Sequence, residues 1–331
     1  MPKNTYPAVR LRRLRQTESL RRLLGQPAPG PEKFIWPVFL VAGKNKEIPI
    51  ESMPGQYHYS LDRLLRALEP LEKTGIGGLM LFGVVDPSLK SAKAAAAFKS
   101  GGLVQKAVHS LRRTFPDLTI FTDVCVCSYT NHGHCGILDG NGEVDNDATL
   151  ELLAKVALSH AAAGAHGVAP SAMMDGQVAA IRGKLDEHNL KNTLILSYST
   201  KFASSMYGPF RDAAQSAPSH GNRKSYQLPI NDVGQAVRES LLDEEEGADI
   251  LMVKPALFYL DIIAKIKMKT CLPLAAYNVS GEYAMLNACA DRGWGDLQAM
   301  AREALSAISR AGADIIISYW ANQYERIFNR A

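Results

Sequence analysis

The stretch Gly247-Ala-Asp-Ile-Leu-Met-Val-Lys254-Pro255 combines the end of a helix, a strand and a chemically reactive side chain. Glycine accepts the left-handed backbone that closes a helix, the apolar run after it predicts a strand, and the lysine and proline end that strand. The same opening recurs at Gly75, Gly164 and Gly312. Because helices that lead into short apolar strands are the repeating unit of parallel α/β folds, the recurrence predicts a (β/α)8 barrel.

Eight short apolar runs fit this scheme, and stretches with helical spacing separate most of them. The runs are 34–41, 76–84, 118–126, 166–171, 193–199, 248–254, 273–279 and 313–319. Active sites of such barrels are built from the C-terminal ends of the strands and the loops that follow them. The most reactive side chains of this chain fall at these positions, namely Asp123 to Cys127, Ser171, Lys201, Lys254, Ser280 and Tyr319.

The composition is that of an ordinary globular protein. Of the 331 residues, 47% are hydrophobic and 21% are charged, and no apolar run is long enough to cross a bilayer. The five cysteines are an odd number and three of them crowd between Cys125 and Cys135, which does not fit a secreted disulfide framework. These features predict a cytoplasmic protein without a membrane partner.

The N-terminal residues 1–26 carry seven basic side chains and one acidic one, Glu18. Three prolines in Pro27–Pro31 separate this segment from the body of the chain. We predict that residues 1–31 form a basic arm that packs on a neighbouring subunit and that residues 32–331 form the catalytic barrel. The arm lacks aromatic residues among its arginines, which disfavours nucleic acid as its partner. Glu18 and two prolines interrupt the amphipathic pattern of a transit peptide.

Lys254 and Lys201 each end an apolar run. Pro255 disfavours helical backbone at Lys254, so the strand continues up to the lysine and then stops. A lysine held away from water loses part of its preference for the ammonium form, and a second cation nearby has the same effect. The neutral amine attacks ketones, so two such lysines predict two ketone substrates. The alternative is a pair of lysines that reach from the rim into solvent.

The cysteines predict a metal site. Cys125 and Cys127 are two residues apart near a strand end, so their thiols share one face, and Cys135 returns after a loop with His132 and His134. Three thiolates hold zinc and leave one position open, which is the catalytic pattern. Two alternatives stay open: a histidine completes a structural site with four ligands, or the thiols are simply buried.

The segment 202–230 is unusually long for a loop within a barrel, which is typical of an active-site lid. It carries Arg211 and Arg223, which suit a bidentate grip on a substrate carboxylate, although arginines on loops are often only solvated. Asp123 shares the face of the cysteines and suits proton transfer, or else a hydrogen-bonded strand end.

Four segments together resemble the porphobilinogen synthase family, also called 5-aminolevulinate dehydratase. The resemblance runs from about Trp36 to Trp320. Its segments are Asp123-Val-Cys-Val-Cys-Ser-Tyr-Thr-Asn-His-Gly-His-Cys135, Ala169-Pro-Ser-Ala-Met-Met-Asp-Gly-Gln177, Ser197-Tyr-Ser-Thr-Lys-Phe-Ala-Ser-Ser-Met-Tyr-Gly-Pro-Phe-Arg211 and Gly247 to Pro255.

The resemblance implies a hydro-lyase of tetrapyrrole (haem) biosynthesis. Two molecules of 5-aminolevulinate would condense to porphobilinogen with loss of two waters, through Schiff bases at Lys254 and Lys201. Cys125, Cys127 and Cys135 match the zinc ligands of the family, and Asp123 matches an acidic position that handles protons.

The resemblance also implies substrate contacts and an assembly. Arg211, Arg223 and Gln227 would contact the substrate at Lys201, and Ser280 and Tyr319 would hold the carboxylate of the substrate at Lys254. Glu239 matches an allosteric magnesium contact, with a solvated helix glutamate as the alternative. The family is typically homo-octameric, with N-terminal arms that wrap neighbouring barrels.

Two other functions compete with this one. An aldolase or lyase that acts on a keto acid through a Schiff base needs one lysine and leaves the cysteines without a role. A zinc-stabilised interaction protein would use the basic arm on nucleic acid, with affinity that falls steeply with salt.

Overall fold

The computed structural model describes residues 9–328 of the chain. Its strands are, in chain order, β1 (Phe34–Val41), β2 (Glu47–Pro49), β3 (Tyr57–Tyr59), β4 (Gly78–Val84), β5 (Thr119–Val124), β6 (Ile137–Leu138), β7 (Val144–Asp145), β8 (Gly167–Pro170), β9 (Leu194–Lys201), β10 (Ile250–Lys254), β11 (Leu274–Asn278) and β12 (Ile315–Ser318). Its helices are α1 (Glu18–Leu24), α2 (Leu61–Glu72), α3 (Leu103–Thr114), α4 (Asn146–Ala162), α5 (Gln177–Glu187), α6 (Gly208–Ala213), α7 (Val233–Glu245), α8 (Leu260–Lys267), α9 (Ser280–Asp291), α10 (Leu297–Arg310) and α11 (Tyr324–Phe328).

Eight parallel strands form a closed barrel. They follow one another in the order β1, β4, β5, β8, β9, β10, β11 and β12, and β12 pairs with β1 to close the ring. The predicted (β/α)8 barrel is confirmed, and each of its strands lies within, or overlaps, one of the eight predicted runs. Outside the barrel, β3 adds to the end of β1 and pairs with β2, and β6 pairs with β7.

The barrel strands are largely buried because both of their faces are covered. Every residue of β4 and β10 is buried, as expected for a parallel sheet with side chains inside and helices outside. Helix α2 shows the complementary pattern, with Leu64, Leu68 and Leu71 buried on one face. Aspartates cap three of the outer helices; Asp232, for example, accepts the amide of Gln235 at 2.9 Å at the start of α7.

The recurring glycines close their helices as predicted. Gly75, Gly164, Gly247 and Gly312 all have left-handed backbone, with φ between 72° and 118°. A side chain at any of them would have to adopt a conformation that L-residues rarely populate. The chain thus turns from helix to strand at the same end of the barrel each time.

After three of these glycines, the residue two positions further on connects neighbouring strands through hydrogen bonds. The sequence did not reveal this role. The side chains of His166, Asp249 and Asp314 accept the backbone N–H of Ile120, Ile195 and Leu274 at 3.0, 2.7 and 2.8 Å. The backbone N–H of each donates in return to the carbonyl of the same partner residue. Each pair of bonds fixes the register between one strand and the strand before it in the barrel.

Strand β9 contains one extra residue relative to β10. Leu251 lies opposite Ser197 and Val253 lies opposite Thr200, so two steps on β10 match three on β9. Such a bulge reverses the alternation of side chains. Tyr198 and Lys201 would point to opposite faces of a regular strand, but here both reach the barrel interior.

One local expectation from the sequence was wrong. The segment 202–230 is not a continuous loop, because α6 begins inside it at Gly208-Pro209, and proline fits the first turn of a helix. In the arm, Glu18 begins α1, where a negative charge is favourable. Within the arm, residues 9–28 are exposed apart from the half-buried Leu20, whereas Pro29 is buried and its carbonyl accepts the Tyr324 hydroxyl at 3.0 Å. None of the helices within residues 9–328 combines the length and the apolar character that crossing a bilayer requires.

Candidate active site

Lys254 ends β10 inside the barrel mouth and is surrounded by aromatic rings. Its Nζ lies 4.2 Å from the centre of the Tyr277 ring, and 4.9, 5.0 and 5.4 Å from those of Tyr198, Phe210 and Tyr207. We call these four rings the aromatic cage. Burial, assisted by the charge of Lys201, lowers the pKa of Lys254 to about 7. The amine is therefore largely neutral just above neutral pH.

Lys201 ends β9 directly beside Lys254, and the two residues face each other across the strand pair. Its Nζ donates to the carbonyl oxygen of Ser171 and lies 5.6 Å from the centre of the Tyr198 ring. Both lysines are buried, with 6% of Lys201 and 4% of Lys254 exposed. Because Tyr198 lies near both amines, the two lysines reach the same region of the barrel interior and not opposite sides of the molecule.

Asp123 lies on β5 with one carboxylate oxygen, Oδ1, shut off from solvent and without a hydrogen-bond partner among the described residues. Burial raises the pKa of Asp123 to about 6, although the Ser171 hydroxyl and the two lysines favour the charged form. A carboxyl group with this pKa exchanges protons near neutral pH.

The three clustered cysteines converge. The sulfur atoms of Cys125, Cys127 and Cys135 all lie within 4.8 Å of one another, and those of Cys125 and Cys127 are 3.4 Å apart. All three side chains are buried. Hydrogen bonds from Cys125 and Cys127 hold the pKa of Cys135 well below its usual range. Among residues 9–328 no other group of three or more potential ligands converges in this way.

The nearby histidines do not complete a site with four ligands. His134 uses both of its ring nitrogens elsewhere, with Nδ1 3.1 Å from the Tyr226 hydroxyl and Nε2 3.0 Å from the His220 carbonyl oxygen. Nδ1 of His132 accepts the backbone N–H of His134 at 3.2 Å, and the buried Nε2 of His132 has no hydrogen-bond partner among the described residues but does not lie within 4.8 Å of all three sulfurs. Three soft thiol donors without a fourth protein ligand fit a zinc ion that keeps a position open.

The segment 202–230 brings together polar groups that lack partners. Nε of Arg211, Nε of Arg223 and both side-chain polar atoms of Gln227 are buried without a hydrogen-bond partner. Among the described residues neither arginine has a carboxylate within salt-bridge distance. Buried donors without acceptors are costly unless a ligand supplies the acceptor, so these three side chains suit an anion.

The two arginines differ in their surroundings. Burial and the charge of Arg223 lower the pKa of Arg211. Burial also works to lower the pKa of Arg223, but the negative charge of Cys135 and Cys127 outweighs it and the pKa is raised. Nη2 of Arg223 donates to the carbonyls of Gly133 and Ser216, which ties the segment 202–230 to the loop of the cysteines.

The same segment is fastened at its ends. Phe202 and Leu228 pair as an isolated bridge where it leaves and rejoins the barrel. At the end of α6, Nε2 of His58 lies 2.6 Å from the Ala213 carbonyl oxygen, and just beyond it Nζ of Lys90 donates to the Gln215 carbonyl at 2.5 Å. These contacts help to hold α6 in the position in which the Phe210 ring lies 5.0 Å from Nζ of Lys254.

Ser280 and Tyr319 lie on the side of Lys254. The Ser280 hydroxyl accepts the backbone N–H of Phe210 at 2.9 Å, so it holds α6 at the barrel mouth. The Tyr319 hydroxyl lies 3.3 Å from that of Tyr277, and both Ser280 and Tyr319 are buried. Two hydroxyls beside the cage leave room for hydrogen bonds to a small polar ligand.

Glu239 lies apart from the lysines, on α7, where it borders a cavity of about 570 Å³. Asp175, Gln227 and Asp243 line the same cavity. Burial and the charges of Asp175 and Glu246 raise the pKa of Glu239. Through Gln227 this cavity adjoins the segment 202–230.

Comparison with known proteins gives a consistent result. The family model of delta-aminolevulinic acid dehydratase matches residues 8–327. The chain belongs to the delta-aminolevulinic acid dehydratase family. It is 48% identical to the delta-aminolevulinic acid dehydratase of Synechocystis sp. over 97% of this chain and 98% of that protein, and 48% identical to that of Methanothermobacter thermautotrophicus over 96% of each.

A solved relative of the delta-aminolevulinic acid dehydratase family has the same fold. The crystal structure of delta-aminolevulinic acid dehydratase (porphobilinogen synthase) from Toxoplasma gondii ME49, in complex with the reaction product porphobilinogen, superposes with a TM-score of 0.93. The two chains are 42% identical over 96% of this chain and 91% of that one.

For this member of the delta-aminolevulinic acid dehydratase family, the sequence analysis missed the aromatic cage. Tyr277 and Phe210 are close in sequence to predicted site residues and were detectable as aromatics at strand and lid positions. Tyr198 gave no such signal, because its odd spacing from Lys201 places it on the wrong face unless β9 is bulged.

Proposed function

We propose that this chain is a porphobilinogen synthase that condenses two molecules of 5-aminolevulinate and releases two waters. The observation that carries the proposal is the pair of buried lysines, Lys201 and Lys254, which lie on neighbouring strands beside the same Tyr198 ring. One imine per lysine accounts for two ketone substrates. An aldolase with a single Schiff base leaves one lysine without a role.

The mechanism begins with imine formation. The neutral amine of Lys254 attacks the ketone carbon of one substrate, and Lys201 does the same with the other. Asp123 exchanges protons while hydroxyl groups leave as water, since its pKa near 6 allows it both to donate and to accept. Loss of a proton next to one imine then gives an enamine, which attacks the second substrate.

The polar side chains position the two substrates. Arg211, Arg223 and Gln227 offer buried, unpaired donors, and we propose that they bind the carboxylate of the substrate at Lys201. Ser280 and Tyr319 offer hydroxyls near Lys254 for the other. We propose that the segment 202–230 acts as a lid that keeps water away from the imines.

Cys125, Cys127 and Cys135 would hold zinc, since three buried soft donors with no fourth protein ligand match the catalytic zinc pattern. When bound there, zinc supplies a Lewis acid for a carbonyl or hydroxyl oxygen. The cluster is close enough to the lysines for its charges to affect the pKa of Lys254.

The direct test is to incubate the protein with 5-aminolevulinate and zinc, to assay the pyrrole, and to trap imines with borohydride. Peptide mapping is expected to show mass gain at Lys254 and, in part of the molecules, at Lys201. Chelation should abolish turnover while the circular dichroism of the barrel stays unchanged. Full turnover without modification of either lysine would refute the proposal.

We further propose that residues 1–31 pack on neighbouring copies in a homo-octamer in the cytoplasm. The exposed Leu11, Leu14, Leu23 and Leu24 of the arm support an interface with another chain, because clustered exposed apolar side chains are unusual on a free surface. Deleting residues 1–31 should reduce the particle mass measured by light scattering. An unchanged mass would count against this role.

Glu239 is our proposed magnesium contact. The carboxylates of Glu239, Asp175 and Asp243 border one cavity, and oxygen ligands suit this ion. The variant Glu239→Gln should lose any stimulation of turnover by added magnesium and keep its zinc-dependent activity. Equal stimulation of both proteins would place magnesium elsewhere.

A further inference from the structure

The two lysines have different partners, and the difference suggests a function for the aromatic cage. Nζ of Lys201 donates to the Ser171 carbonyl, whereas no hydrogen bond formed within residues 9–328 involves Nζ of Lys254. Lys254 instead has four ring centres within 5.4 Å, which is inside the range of cation–π attraction.

We propose that the aromatic cage is a catalytic device that stabilises the positively charged iminium formed at Lys254. The proposal rests on the proposed function and adds a specific task for Tyr198, Tyr207, Phe210 and Tyr277. It explains why this amine, which has no hydrogen-bond acceptor, lies among the faces of rings.

The chemistry of the step explains why π-faces suit it. The amine lone pair adds to the ketone carbon, and the carbonyl π-electrons move to oxygen. One N–H proton passes to that oxygen, and one further proton from a neighbouring acid lets the hydroxyl leave as water. Nitrogen then shares its lone pair with carbon and carries the positive charge. An iminium has a single N–H and a diffuse charge, so ring faces stabilise it better than one acceptor does.

Three of the four rings of the cage are held in place by contacts of their own, whereas the Tyr198 hydroxyl is buried without a hydrogen-bond partner among the described residues. The Tyr207 hydroxyl donates to the carbonyls of Phe202 and Lys254, at 2.8 and 3.2 Å. The Tyr277 hydroxyl contacts that of Tyr319.

Phe210 packs its ring at 5.6 and 5.1 Å from those of Phe39 and Phe82. With the hydroxyl contacts of the tyrosines, this packing means that the rings need not reorganise when charge appears on nitrogen, which is the condition for electrostatic catalysis.

The effect of the cage on imine formation differs above and below the pKa of the Lys254 amine. When the amine is protonated, the starting ammonium and the iminium are both cations, and the rings stabilise both. When it is neutral, only the product is charged, and the whole cation–π stabilisation favours the iminium. A residue that only fills space would show no such dependence on pH.

Other groups near Lys254 also carry or change charge, and a pH experiment has to take them into account. They are Lys201 on β9, Asp123 on β5, Cys125 and Cys127 beyond β5, and the phenols of the cage. None of them is altered by a change of electron density in the Phe210 ring, so substitution within that ring isolates the cage.

The experiment replaces Phe210 by mono-, di- and trifluorinated phenylalanine, which withdraw electron density from the ring face with little change of shape. The probe is levulinate, a keto acid that lacks the amino group and therefore stops at the imine. Trapping with borohydride followed by mass spectrometry measures the fraction of Lys254 converted at equilibrium, at about pH 8.5 and about pH 6, above and below the shifted pKa.

At the higher pH the equilibrium constant for imine formation should fall step by step, about three- to tenfold across the series. At the lower pH this equilibrium constant should be nearly the same for all members of the series. The same three fluorinated phenylalanines placed at Phe115, which is buried at the other end of the barrel, should leave the equilibrium constant unchanged at both pH values. Equal trapping across the Phe210 series at both pH values would refute the cage.

If the fluorinated proteins fold poorly, a second pair of variants tests the same proposal. Tyr277→Phe keeps the ring and should retain most of the imine, whereas Tyr277→Leu should lose it about three- to tenfold at the higher pH. Equal losses in both would point to the hydroxyl and refute the cage. If the unmodified protein traps no imine at Lys254 at all, the proposed function itself fails.

Discussion

Lys254 and Lys201 are the same residue at the same level of neighbouring strands, yet their surroundings differ. Lys254 is enclosed by π-faces, whereas Lys201 donates to the backbone carbonyl of Ser171. The difference lies in what each pocket stabilises. The first favours a diffuse cation, while the second offers directed hydrogen bonds and, nearby, arginines without carboxylate partners. The two identical nucleophiles therefore acquire separate tasks from their neighbours alone.

The largest effect should come from Lys254→Ala. Removing the nucleophile should lower kcat roughly 10⁴- to 10⁶-fold, because no other group in the cage can form the imine. Pyrrole formation and borohydride trapping measure the loss. The matched variant Lys269→Ala, at an exposed lysine just after α8, should behave like the unmodified protein. A decrease in kcat of less than tenfold would show that Lys254 is not the nucleophile.

A smaller effect is expected for Lys201→Ala, about 10²- to 10⁴-fold in kcat, since Lys254 can still bind one substrate as an imine. Trapping with levulinate should still label Lys254 in this variant, which separates the two pockets. If Lys201→Ala kept full turnover, the scheme with two imines would be wrong and a single Schiff base would suffice.

Arg211→Gln tests whether this arginine binds a substrate carboxylate. We expect KM for 5-aminolevulinate to rise about 10- to 100-fold with a much smaller change in kcat, because a carboxylate contact made in both the ground state and the transition state is lost. Steady-state kinetics separates the two constants. Arg238→Gln on the exposed face of α7 is the control, and an equal rise in both variants would count against a role in binding.

The smallest effect is a shift in pH dependence. Because the pKa of Lys254 is lowered to about 7, the trapping rate should fall about tenfold per pH unit below that value and level off above it. The charge of Lys201 contributes to the lowering, so Lys201→Ala should move the midpoint to higher pH. Lys201→Arg keeps the charge and should leave the midpoint in place. A downward shift in Lys201→Ala would contradict the coupling.

Much of the fold was predictable because its signals are local. The glycines at 75, 164, 247 and 312 need left-handed backbone, and each strand is buried on both faces and so reads as an apolar run. The two lysines and three cysteines were visible as reactive residues at strand ends. Helix α6 was missed because Gly208-Pro209 was read as a loop signal although it also begins a helix.

The sequence by itself determined where the barrel strands lie along the chain, which glycines end the helices before them and which residues are able to do chemistry, because backbone preference and burial pattern act between residues close along the chain. Only the tertiary structure decided that Tyr198 joins Lys201 inside the barrel, since that depends on one extra residue opposite β10. It also decided that His134 is engaged elsewhere and that four rings from three different regions meet at Lys254. Contacts between residues far apart in sequence depend on register and closure of the sheet, and no local preference encodes these.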